Sequence, residues 1–108
     1  MKRAFVLALL LAVAGTALAH DVAVWAEVVK GRVHVEAYFS DGEPVRDAPV
    51  QVSDAKEKVL LTGRTNAKGV FDFAPPAKTD LTIKVSGGYG HDATATVKGE
   101  DLGEVARP

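Results

Sequence analysis

Hydrophobic and polar positions alternate with a period of two along most of the chain from residue 22 onward. From Val33 to Phe39, Val33, Val35, Ala37 and Phe39 share one face, and His34, Glu36 and Tyr38 share the other. A period of two is the signature of a strand with one buried face. Strands are expected at Val22–Val29, Val33–Phe39, Pro49–Val52, Val59–Arg64, Val70–Ala74, Asp80–Ser86 and His91–Val97. Turn signals separate them: Lys30-Gly31, Ser40 to Pro44, Asp54-Ala55-Lys56, Asn66 to Gly69, Pro75-Pro76 and Gly87 to Gly90. Short strands at this spacing, with no convincing helix between them, predict an all-β, antiparallel two-layer β-sandwich of seven strands. Phe39, Phe71, Phe73, Leu81 and Ile83 are its expected core. Trp25 is opposite in parity to Val22, Val24 and Val28. It is expected in a second layer, at a sheet edge, or as a surface contact residue.

The first residues follow a different pattern. Lys2 and Arg3 precede the apolar run Phe5 to Val13, and Ala17-Leu18-Ala19 forms a small-x-small site. This is the layout of a secretory signal peptide over residues 1–19, with cleavage expected before His20. The run is short for a membrane span, the alternative being an uncleaved N-terminal anchor. No second apolar stretch follows, so the mature chain is expected to be soluble, periplasmic or secreted, with no membrane segment. A β-sandwich domain is expected over residues 20–98 and a flexible tail over 99–108.

Composition narrows the chemistry. The chain has no cysteine, which removes disulfides, thiolate metal sites, cysteine nucleophiles and a lipid-anchoring cysteine. Its 13 basic and 14 acidic residues are interspersed and leave a formal net charge of −1. Without a basic patch, nucleic acid is not an expected partner. Ser40, Ser53 and Ser86 have no base that the topology brings near, and there is no phosphate-binding loop opening a helix. No enzymatic activity is expected.

Three histidines remain: His20, His34 and His91. If successive strands alternate in direction, the start of the first strand and the Gly87–Gly90 turn lie at one pole, together with the Asn66–Gly69 turn. His20 and His91 then meet there. At about 3.3 Å per residue, His34 stands roughly 23 Å from His20, beyond any shared metal. Cleavage would also free the α-amine of His20. With its imidazole and that of His91 it offers three nitrogen donors, a set suited to copper or nickel. Asp21, Asp92 and Asp41 are expected nearby, able to ligate or to orient an imidazole. A polar terminus and a strand-capping histidine without metal is the alternative. His34 is expected to be a solvated face residue beside Glu36.

The run Ala37-Tyr38-Phe39-Ser40-Asp41-Gly42-Glu43-Pro44-Val45, then Ala48-Pro49-Val50-Gln51-Val52, then Gly63 to Phe73, resembles the carboxypeptidase regulatory-like domain. That resemblance implies an immunoglobulin/transthyretin-like sandwich. Within the group, the early histidine and Gly87-Gly88-Tyr89-Gly90-His91 are similar to small periplasmic accessory proteins of nickel and cobalt uptake systems. The resemblance implies a metal-uptake role and, as partner, a membrane metal-uptake system or another periplasmic protein. Membrane-linked members carry a C-terminal hydrophobic helix, and the residues up to Pro108 hold none. The expectation is a free soluble component, or a relative with another role. A periplasmic recognition or structural module without metal is the competing reading.

Overall fold

The alternation is resolved in space by a computed structural model, which describes residues 21–88 and 90–102. Seven strands form: β1 Val22–Val29, β2 Arg32–Phe39, β3 Pro49–Ser53, β4 Val59–Arg64, β5 Val70–Phe73, β6 Leu81–Ser86 and β7 Asp92–Val97. They make two antiparallel sheets, of order β1-β2-β5 and β4-β3-β6-β7. The strands send most of their aliphatic residues to the side shared by the two sheets, while Val29 and Val59 stay exposed. Val33, Val35 and Ala37 of β2, Val50 and Val52 of β3, and Leu81, Ile83 and Val85 of β6 are buried there. Fully burying one such side chain contributes about 1.5–3 kcal/mol, so this inner layer supplies most of the drive to fold.

The aromatic residues divide. Phe73 is buried, whereas Phe39 and Phe71 are half-buried and pack against the core from its margin. Phe71 lies on β5, an edge strand, and its ring covers Gly63 of β4. Full burial, expected for all three from parity alone, holds only for Phe73. Phe39 ends β2 beyond the stretch Val33 to Glu36 that pairs with β5, and Phe71 lies at the core margin over Gly63.

Consecutive strands alternate in direction, but β2 and β3, β4 and β5, and β5 and β6 belong to different sheets. The chain crosses between sheets at residues 40–48 and returns at residues 65–69. The two crossings are tied together by Thr65, a buried polar residue. Its hydroxyl donates to the Val45 carbonyl at 2.6 Å and accepts from the Ala48 amide at 2.9 Å. A buried hydroxyl satisfied in both roles avoids the penalty of an unpaired polar group. Arg64 reinforces the junction, with Nε 2.8 Å from Asp47 Oδ1.

The chain stays packed past Val97. Residues Gly99–Leu102 form a 3-10 helix, and Leu102 is 1% exposed. The Gly99 amide donates to Asp80 Oδ1 at 2.7 Å. The packed region thus extends to Leu102, four residues beyond the expected domain end at Lys98. One aliphatic residue in an otherwise polar run left too little periodicity to read.

Candidate functional site: one pole and one sheet face

Two places gather chemistry-bearing side chains. The first is the pole where β1 begins. The Asp21 carbonyl accepts from the Ser40 amide at 2.9 Å, pinning the entry to β1 against the end of β2. The β6–β7 turn closes onto the same place. Its Gly87 amide donates to the His91 carbonyl at 2.8 Å, and the His91 amide donates to the Gly88 carbonyl at 2.9 Å. Gly87 is packed so closely on β1 that a Cβ there would stand 2.5 Å from Val22 Cγ2 and 3.4 Å from Phe39 Cε1. Glycine is therefore required for the turn to approach the first strand.

Of the residues expected to hold a metal, Asp21, His91 and Asp92 are gathered at this pole. His91 is half-buried, and Asp21 and Asp92 are exposed. Their side chains make no hydrogen bond or ion pair among the described residues. His20 lies outside the described residues. Among the described residues, no group of three or more histidine and carboxylate side chains is arranged to hold a metal ion. Asp41 is at the same pole, where its Oδ1 accepts from the Glu43 amide at 2.9 Å.

The second place is the outer face of the three-stranded sheet. Antiparallel register sets His34 between Glu27 of β1 and Asp72 of β5, and Glu36 between Trp25 and Val70. The His34 ring spans two carboxylates. Nδ1 lies 2.7 Å from Asp72 Oδ1, and Nε2 lies 2.7 Å from Glu36 Oε2. Ionised carboxylates only accept, so satisfying both contacts requires both ring nitrogens to carry hydrogen, which is the imidazolium form. The Glu36 bond first, then that to Asp72, accordingly raises the His34 pKa above its ordinary value. The same His34 bond, followed by the one from Tyr38, holds Glu36 below the usual carboxylate range. The Tyr38 hydroxyl donates to Glu36 Oε1 at 3.1 Å, and keeping that proton raises the Tyr38 pKa.

Trp25 completes the face. It is 58% exposed and meets Tyr38 edge to face, with ring centroids 5.9 Å apart and planes at 64°. Of the open expectations for Trp25, sheet-edge placement and exposure both hold, since β1 is an edge strand. His34 is half-buried and doubly bonded, more constrained than a solvated face residue beside Glu36. Parity alone placed His34, Glu36 and Tyr38 together. Asp72, 38 positions from His34, joins them only through the β2–β5 register, for which the sequence carries no local signal.

In comparisons with protein-family models, with curated proteins and with solved structures, nothing matches this chain.

Proposed function

We propose that this chain is an exported, non-enzymatic sandwich of the immunoglobulin/transthyretin-like kind that binds a divalent transition metal as an accessory of a membrane uptake system. The metal site is the α-amine and imidazole of His20, freed by cleavage after Ala19, with the imidazole of His91. Asp21 and Asp92 ligate or orient. The observation that carries this reading is the seating of the His91 turn on the start of β1, where Gly87 leaves no room for a Cβ beside Val22. Val22, which the turn contacts, is two positions after residue 20 in the chain.

The donor chemistry fits a borderline metal. An amine and two imidazoles offer nitrogen donors, and nitrogen donors suit copper and nickel. The resemblance to periplasmic nickel and cobalt accessory proteins points the same way and supplies the uptake system as partner. A recognition module without metal is favoured by a different observation, the exposed Trp25–Tyr38 face.

The test is a metal titration of the mature protein beginning at His20. Copper is expected to bind more tightly than nickel, and binding is expected to weaken below about pH 6 as protons compete. Even outer-shell partners of metals are worth about 10–100-fold in affinity, so His91→Ala is expected to cost at least about tenfold. His34→Ala is expected to leave affinity unchanged, because His34 pairs opposite Glu27, far down the ladder from residue 20. The decisive control places one extra residue before His20 and preserves every side chain. Equal affinity of the extended and correctly processed proteins would show that the amine is not a ligand and overturn the site.

A further inference from the structure

Trp25 is the single tryptophan of the chain, and it stands on the sheet's outer face rather than in the core. Two shallow grooves flank it. One, of about 540 Å³, runs from Trp25 past Tyr38 to Ser40 and Gly42. The other, of about 320 Å³, runs from Trp25 along Glu27 and His34. Both include Glu36, the cross-strand partner of Trp25.

The charges around the indole are unbalanced. Glu27, Glu36 and Asp72 lie on this face, with His34 as the cation between the last two. Glu27 has no side-chain partner among the described residues. Arg32 sits at the far end of the ladder, opposite Val29. An aromatic face beside excess carboxylate attracts a cation twice, through the ring quadrupole and through charge. The 64° angle between Trp25 and Tyr38 means that the two rings form a corner and not a coplanar platform for stacking a sugar chain. Grooves on both sides of the indole favour an occupant longer than one small cation.

We propose that this face binds an extended basic segment of a partner polypeptide, seating one arginine or lysine side chain on Trp25 between Glu27 and Glu36, with the flanking chain in the two grooves. A guanidinium is the better fit, because it is planar, stacks on an indole and bonds a carboxylate with two donors. The first groove reaches the pole at Ser40 and Gly42, but neither His91 nor Asp92 lines either groove, and neither proposal depends on the other.

Because Trp25 is the only tryptophan, its fluorescence reports binding at this face directly. The probe is an acetylated and amidated pentapeptide with one central arginine flanked by glycine and serine. The comparison peptide carries citrulline, the neutral isostere of arginine, at the centre. The arginine peptide is expected to shift Trp25 emission saturably and to bind at least about fivefold more tightly than the citrulline peptide. The double variant Glu27→Gln and Glu36→Gln is expected to lose most of that preference. Trp25→Ala is expected to lose detectable binding in a peptide-observed NMR titration, and Trp25→Phe to retain part of it. Trp25 is exposed, so these variants should fold, as circular dichroism would verify. Equal binding of the two peptides, no binding of either, or full binding by Trp25→Ala would each overturn the proposal. So would equal affinity for free arginine amide, which would assign the site to a small cation. A Trp25 shift on dilution of the protein alone would assign the face to a second copy and would likewise overturn it.

Discussion

His34 shows how much a single side chain depends on neighbours that are distant in sequence. Each of its nitrogens faces a carboxylate at 2.7 Å, one two residues away and one 38 residues away. A histidine whose pKa is raised on folding contributes stability that is fully present below its unfolded value. That contribution is lost as pH rises through the folded value. Glu36 has the opposite sign: its lowered pKa stabilises the fold above its unfolded value, and this is lost as pH falls through the folded one. NMR titration of the His34 ring is expected to give a pKa above about 6.5. Glu36→Gln is expected to lower it most and Asp72→Asn less, following the order of their contributions. A His34 pKa unchanged by either substitution would mean that the bridge does not form in solution.

At the scale of elements, the contrast between Phe71 and Phe73 separates alternation from burial. The two residues share a face of β5, with ring centroids 5.7 Å apart, yet only Phe73 is buried among the core residues. Phe73→Ala is expected to cost about 3–5 kcal/mol, the usual range for a fully packed phenylalanine. Phe71→Ala is expected to cost clearly less, because its ring lies at the margin over Gly63. Urea denaturation of both variants measures the difference, and equal losses would contradict the marginal packing of Phe71. The 3-10 helix tests the same principle. Leu102 is among the largest fully buried side chains, so Leu102→Ala is expected to cost about 2–5 kcal/mol. A loss within about 0.5 kcal/mol, typical of a surface substitution, would show that residues 99–102 are not part of the packed unit.

For the molecule as a whole, the arrangement of two sheets converts local patterns into two surfaces. One is the pole that joins the start of β1 to the turn before β7, and the other is the acidic aromatic face over β1, β2 and β5. The strands were legible from residue types alone. Alternation in β2 and β6, and the turn residues at Lys30-Gly31 and Asn66 to Gly69, specify strand and reversal through backbone geometry that acts within a few residues. The sorting of His34, Glu36 and Tyr38 to one face followed from the same parity, and the placing of the Gly87–Gly90 turn at the pole where β1 begins followed from alternating strand directions. Only the tertiary structure decided which strands pair, since β2 selects β5 and β3 selects β6 across long stretches of chain. That pairing brings Asp72 to His34 and leaves Phe71 at a margin. Packing of the inner layers against each other likewise draws Leu102 into the core. The physical reason is range: backbone preference and hydrophobic period are properties of neighbouring residues. Register and burial depth instead depend on the free energy of the assembled sheets, to which each residue contributes only after its distant partners are in place.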